Sequence, residues 1–320
     1  MPSNPSAICD QARTLLTPEE ERSLTHGEFA IAPDEHAAFA RALTLLNAAG
    51  IPYVVSGLYA LHYYTGIHRK TKDLDLLFKP TDVLTAARVL KEGGFRTRLE
   101  GRHWLGKAFY GEVMLDLIFG MANGLHLIDG AWYRHSRPSL LAGVPVRVAP
   151  PEELILHRLF IGERHRSDSS DVVHLLMLRG SELDWPRLIR RVGDHWRLLL
   201  AQLLFFDFAY PGRRREVPDR VREELLQRAR GEIGEVGADP DVAQGTLMSR
   251  FSYAIDVNEW GFRDYRRESV MAARTLPIVN EIAASDVWES INEEQDLAEE
   301  GVAIGWGEDA VVGPYSEAER

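Results

Sequence analysis

Two aspartates one residue apart, Asp73 and Asp75, stand in the segment DLDLLF, where acidic and apolar residues alternate. On a β-strand, side chains at i and i+2 share a face. The two carboxylates therefore project together, while Leu74 and Leu76 turn the other way into apolar packing. Carboxylates set side by side repel one another unless a cation or a proton sits between them. Hard divalent cations take oxygen ligands, and magnesium is commonly held by one or two carboxylates together with substrate phosphates. A third acid, Asp116, interrupts the otherwise apolar run EVMLDLIF. Buried alone it would be costly. On a strand beside Asp73 and Asp75 it would complete a group able to hold two ions roughly 3.5–4 Å apart, clamping the attacking and leaving oxygens of a displacement at phosphorus.

A phosphate site needs donors as well as metal. Upstream of the acids, Ser56-Gly57 lies between a short apolar run, IPYVV, and the helical segment LYALHYYTG. Small residues let the backbone approach phosphate, and a helix N-terminus offers free N–H groups and a favourable dipole. Arg69, Lys70 and Lys72 lead directly into the acidic strand and could neutralise further phosphate charge. A plainer reading stands beside each: Ser56-Gly57 as a tight strand-to-helix turn, and Arg69 and Lys72 as surface partners of Asp73 or Asp75.

The elements that must position these residues follow from hydrophobic period. A helix is predicted from Pro33 to Ala49, ended by Gly50, then a strand over Ile51 to Val55 and a helix after Gly57. DLDLLF reads as a strand, Thr81 to Glu92 as an amphipathic helix stopped by Gly93-Gly94, and FRTRLE, WLGKAFY, EVMLDLIF and GVPVRV as further strands. Interleaved strands and helices up to about residue 150 predict an α+β (mixed α/β) domain built on a small mixed sheet with flanking helices. From Pro151 the strand signals vanish, and EELILHRLFIG, SSDVVHLLML, WPRLIRRV, HWRLLLAQLLFFDF and DRVREELLQRA all carry helical periodicity. The expected division is an extension over 1–32 with a short helix at TPEEERSL, a catalytic domain over 33–150, a helical domain over 151–280 and an acidic, flexible tail over 281–320. No internal repeat appears.

With 45% hydrophobic and 27% charged residues among 320, the chain has the balance of a globular protein with a real core. Its net charge of −11 is carried by the tail, where residues 281–320 hold twelve acids against one base, Arg320. The remainder is near neutral, so the acidity does not argue against a phosphate-bearing ligand there. Lone Cys9 excludes a disulfide framework and a multi-cysteine zinc site, and fits a reducing, cytoplasmic setting. The N-terminus lacks the basic and apolar regions of a signal peptide. The run LLLAQLLFFDFAY is too short to span a membrane and contains Gln202 and Asp207, so a buried helix is expected there.

The segments VVSGLYALHYYTGIHRKTKDLDLLF and MLDLIF resemble the DNA polymerase β-like nucleotidyltransferase superfamily, most closely its bacterial small-nucleotidyltransferase and AbiEii-type toxin branches. The family pattern is a strand, a Gly-Gly or Gly-Ser turn, a helix, an Asp-x-Asp strand and a third Asp on a neighbouring strand; here the turn is Ser-Gly. The resemblance implies that Asp73 and Asp75 bind both metals, Mg2+ or Mn2+. Asp116 would bind the catalytic ion and help activate an acceptor hydroxyl, and Ser56 and Gly57 would hold the triphosphate. It further implies transfer of a nucleoside monophosphate, with ATP among the candidate donors, and release of pyrophosphate. The acceptor is left open among a small hydroxylated compound, an RNA end and a protein side chain. The alternative is a non-catalytic nucleotide- or partner-binding module of the same fold, the toxin-like half of a two-component pair. PEELILHRLFIGERHRSDSSDVVHLL resembles the segment after the core in these relatives, with His157 where a lysine is common and Arg158 adjacent.

Other clusters take plain readings. His157, His165 and His174 lack an HExxH pattern and are read as structural. Arg213-Arg214-Arg215 is read as a solvated loop, and Asp168 and Asp171 as helix caps or partners of Arg164 and Arg166. There is no GxxxxGK[ST] loop, GxSxG elbow or placed GxGxxG.

Overall fold

The computed structural model describes residues 31–163, 167–233 and 239–294; the helix expected at TPEEERSL lies outside them. Helix α1 (Pro33–Ala48) opens on a proline, whose missing N–H costs nothing in a first turn, and places Asp34 and Glu35 at the positive end of its dipole. Strand β1 (Val54–Val55) is shorter than predicted and leads into α2 (Gly57–Thr65), closed by Gly66 in the left-handed region. Strand β2 (Asp73–Leu77) and helix α3 (Pro80–Glu92) fall where the period placed them. Strands β3 (Arg96–Gly101), β4 (Leu105–Tyr110) and β5 (Val113–Ile118) follow. Helix α4 (Gly130–Arg134) and strand β6 (Arg137–Leu141) were not anticipated, and β7 (Val144–Val148) completes this run. Strand β6 begins Arg-Pro and lies at the sheet's edge, the position where a proline's missing donor is tolerated.

Helices α5 (Pro151–Arg158), α6 (Ser169–Arg179), α7 (Trp185–Val192), α8 (Trp196–Ala209) and α9 (Asp219–Gly231) form the expected helical part. Beyond them come β8 (Val242–Ala243), α10 (Ala254–Asn258), β9 (Arg263–Asp264), α11 (Tyr265–Arg274), α12 (Pro277–Ala284) and β10 (Ser290–Ile291). Strands therefore do occur after residue 151.

Eight strands make one mixed sheet in the order β10-β3-β4-β5-β2-β1-β7-β6, while β8 and β9 pair separately. Leu74, Leu76, Ala108, Leu115 and Leu117 line one face, packed with Phe39 and Leu43 of α1 and Val83 and Leu90 of α3. On the other face, Leu77 and the partly buried Ile118 meet Leu154, Leu176 and Leu199 of the helical layer. Asp73 and Asp75 share a face with Leu77 by strand alternation, so the helices cover one end of that face and leave the acids at its open end.

Two expectations change. Helix α8 was expected to be a buried helix; it buries Leu199, Leu203 and Phe206 but leaves Leu204, Phe205 and Phe208 exposed, the last at 81%. Among the described residues, no helix is long and apolar enough to cross a membrane. The acidic segment from 281 is also not a free tail over 281–294. The Glu289 amide donates to the Thr97 carbonyl at 2.8 Å, the Asn292 amide to Leu99 at 2.9 Å, and the Thr97 hydroxyl to the Val287 carbonyl at 2.6 Å. The Trp288 ring occupies the space over Gly106, where a Cβ would come within 2.5 Å of it, and its indole N–H donates to Ile282 at 2.9 Å. Acidic composition predicted solvation, but apolar Ile282, Val287 and Trp288 override it. Residues 295–320 lie outside the described residues.

Replacing Trp288 with alanine opens a cavity against β4 and should destabilise the protein by about 3–5 kcal/mol. Urea denaturation reads this directly; unchanged stability would show that residues 281–294 are not part of the folded core.

Candidate active site

Strands β2 and β5 are parallel and in register, with Asp75 opposite Asp116 and Asp73 opposite Met114. Directly paired residues share a face, so Asp73, Asp75 and Asp116 stand on one side of two neighbouring strands. The neighbouring of the two acidic strands on which the sequence argument depended is therefore present.

Antiparallel β4 continues the same row and sets Lys107 opposite Asp116. The hairpin turns through Gly111, at φ 60°, and Glu112, and its pairing of Tyr110 with Val113 propagates back to Lys107 and Asp116. The Lys107 ammonium lies 3.0 Å from Asp116 Oδ1, with the two side chains only 16% and 13% exposed. Burial pushes the Asp116 carboxyl up to about 6; the Lys107 charge opposes that rise and the Asp73 charge adds to it. Asp73 accepts from the Thr71 hydroxyl at 3.1 Å. Lys107 was absent from the sequence-derived site, although the two-residue turn in AFYGEVML carried its register.

On the other flank of β2, the Ser56 amide donates to the Asp75 carbonyl at 2.9 Å, tying the turn to the acidic strand. Gly57 has φ +59°, and a Cβ there would fall 1.6 Å from Asp75 Oδ2. Glycine is required twice over, by backbone conformation and by the carboxylate against it. Ser56 is the N-cap of α2 and makes no side-chain cap bond, so the first amides of the helix are not capped by it. Behind the acids, burial raises the Tyr59 phenol well above its usual range, and the charges of Glu35, Asp73 and Asp75 raise it further. It stays neutral.

The basic residues sit differently from expectation. Arg69 does not pair with Asp73 or Asp75 but with the buried Asp171, to which it donates at 2.9 and 2.7 Å. Asp171 also accepts from Arg158 Nε at 3.3 Å, and Arg158 Nη2 donates to the Gly57 carbonyl at 3.1 Å. One carboxylate thus links Arg69, Arg158 and the turn. Asp171 is thus held by two arginines not expected as its partners, while its expected pairing with Arg164 and Arg166 lies outside the described residues. Arg158, noted in the sequence only as the neighbour of His157, is the second contributor. Lys70 and Lys72 line an open cavity of about 510 Å³ with Glu35, Thr71, Arg96, Phe109, Glu112 and Met114, beside the β4–β5 hairpin.

His157 is a core residue: its ring packs on Trp132 with centroids 4.7 Å apart, and burial, reinforced by Arg158, pushes its pKa down to about 3. Asp168 stands at the N-cap of α6 with its carboxylate 4.0 Å from Arg158 Nε. Arg213 and Arg214 pair with Glu216 and Asp207 at 3.2 and 3.3 Å. His165 lies outside the described residues.

Among the described residues, no three His, Cys, Asp or Glu side chains are gathered to hold a metal ion. Lys107 occupies Asp116 and Thr71 holds Asp73, so the carboxylates share a face without forming a closed cage. The donor set is nonetheless hard oxygen on adjacent strands beside the Ser56-Gly57 turn, which fits an ion that completes its shell with substrate phosphates.

The model of the uncharacterised nucleotidyltransferase family matches residues 16–207. No curated protein matches the chain. Similar solved structures include the lincosamide antibiotic adenylyltransferase LnuA with lincomycin bound, at 17% identity and TM-score 0.33, covering 45% of this chain and 96% of that one. ANT(2″)-Ia in complex with adenylyl-2″-tobramycin aligns at 17% identity and TM-score 0.34, covering 61% and 99%. JHP933 from Helicobacter pylori aligns at 14% identity and TM-score 0.31, covering 71% and 99%.

Gly57→Ala should strain the turn and drive a methyl into Asp75, so a lowered thermal midpoint together with weakened nucleotide binding is expected; a variant that matches wild type in both would refute the packing described. Asp116 supplies a second test. The folded protein holds its proton more tightly than the unfolded chain, so its contribution to stability is present below the ordinary value of 3.8 and is lost as pH rises through about 6. Carbon-13 NMR should place the Asp116 midpoint near that value in metal-free protein, and Asp116→Asn should flatten the stability curve over that interval.

Proposed function

The chain belongs to the uncharacterised nucleotidyltransferase family, and from that premise we propose that Asp73, Asp75 and Asp116 serve transfer of a nucleoside monophosphate from a nucleoside triphosphate to an acceptor hydroxyl. The observation that carries the reading is the in-register pair Asp75–Asp116, one strand away from a turn that only glycine can make.

In this reading Asp73, Asp75 and Asp116 would hold Mg2+ or Mn2+, which would neutralise phosphate charge and polarise the attacked phosphorus. Ser56, Gly57 and the first amides of α2 receive the phosphates, with Arg69 and Lys72 adding positive charge at the rim. Asp171 fixes Arg69 in that role, and Arg158 braces the turn through its carbonyl. Asp116 accepts the acceptor's hydroxyl proton as the new O–P bond forms. The bond from the α-phosphorus to the bridging oxygen breaks, and pyrophosphate leaves with the electron pair. Catalysis is mainly positioning and charge neutralisation, as phosphoryl chemistry requires. The acceptor enters from the β3–β5 side, through the cavity bordered by Met114 and Phe109. The finer placement near AbiEii-type proteins, and with it a partner protein, rests on the motif residues from Val54 to Phe78.

The test is pyrophosphate release from each labelled triphosphate with magnesium and acceptor mixtures of small hydroxylated compounds, RNA ends and protein. Asp75→Asn should lower turnover by at least about a thousandfold and leave the unfolding midpoint near wild type. Full activity in that variant would remove the acids from the mechanism.

A further inference from the structure

Lys107 has no assigned part in nucleotide chemistry, yet its ammonium is 3.0 Å from the oxygen that a metal at Asp116 would take. We infer that Lys107 is the counter-ion that Asp116 gives up when the divalent ion arrives: the ammonium holds the third carboxylate in the metal-free protein, and the ion replaces it there. The inference rests on the assignment of Asp116 to the metal site.

Three observations support the exchange. First, Asp116 is 9% exposed and shares its sheet face with Asp73 and Asp75. A carboxylate so placed needs a cation in every state in which it is charged. Second, a magnesium ligand lies about 2.0–2.1 Å from the ion, so an ion on Asp116 Oδ1 and an ammonium on the same oxygen would repel strongly in this sparsely hydrated place. Both cannot stay. Third, the side chains as they stand are set for the ammonium, since no three acids are gathered for a metal among the described residues.

Lysine suits such an exchange. Its charge is a point at the end of a four-carbon stem, free to swing, whereas a planar guanidinium would be fixed by forked bonds to the carboxylate. The other contact near the ammonium is weak: Met114 Sδ, a neutral thioether, at 3.1 Å. Glu100, which also bears on the Asp116 charge, is engaged by Arg98 and by the side-chain amide of Asn292, which donates to it at 2.6 Å. Glu100 is thus occupied. Once displaced, the ammonium stays on the open face, on the β3–β5 side of the acids. Lys107 is therefore a positioning residue that sets how readily the ion enters.

The experiment measures Mn2+ affinity by electron paramagnetic resonance on full-length wild type, K107M, K107Q and K107R, and on each in a D116N background. Removing the ammonium should tighten Mn2+ binding about tenfold in K107M and K107Q, while K107R binds no tighter than wild type. The gain should vanish in the D116N background, because Lys107 acts through Asp116. Without metal, K107M should unfold at a lower temperature, and saturating Mn2+ should restore it by a larger shift than in wild type. Unchanged or weaker Mn2+ binding in folded K107M or K107Q overturns the inference, as does a gain that persists with D116N. Wild-type Mn2+ binding that is indifferent to D75N would instead overturn the metal-site assignment, and the inference with it.

Discussion

Three carboxylates on one face of two adjacent strands repel one another, and the site depends on how that repulsion is contained. Each acid has its own arrangement. Asp73 takes a hydroxyl from Thr71, Asp75 stands against the bare α-carbon of Gly57, and Asp116 faces Lys107. The parallel pairing of β2 with β5 brings the acids together, and a parallel pair demands a long crossover connection. Here that connection contains α3 and strands β3 and β4. The hairpin that returns the chain to β5 thus also delivers the lysine that neutralises its aspartate. Crossover and counter-ion are one piece of chain.

The helical layer is fastened to the same place. Buried Asp171, at the start of α6, binds Arg158 from the end of α5 and Arg69 from the loop before β2, and Arg158 reaches the Gly57 carbonyl. A buried carboxylate without these partners would be strongly destabilising. With them it couples the orientation of two helices to the geometry of the turn. Movement of α5 against the sheet would be felt first at Gly57.

Hydrophobic alternation located β2, β3, β4, β5 and β7, because each has one face in the apolar core and obeys a period of two. The same alternation put Asp73 and Asp75 on one face, and the glycine at 57 marked the turn. The strand order was beyond reach: that Asp75 lies opposite Asp116 is a long-range pairing, although the tight hairpin made the Lys107–Asp116 register available in principle. Arg69 and Asp171 are 102 residues apart, and nothing local distinguishes their pairing from the surface alternatives. Strand β6 was hidden by its proline. The error over residues 281–294 has another cause: net acidity outweighed three apolar side chains whose burial depends on a sheet edge far away in sequence.

That edge has a consequence for how the molecule is made. Strand β10 covers β3, and the Thr97 hydroxyl waits for a carbonyl 190 residues further along the chain. At about 5–20 residues per second, synthesis of the intervening segment takes on the order of ten seconds or more. Throughout that interval β3 presents a row of unpaired backbone groups, the kind of edge that invites pairing with a neighbouring chain. The nascent protein is therefore most vulnerable to strand-to-strand association before its last described strand leaves the ribosome, and exposed Arg96 and half-buried Arg98 on β3 are the charges that guard it meanwhile.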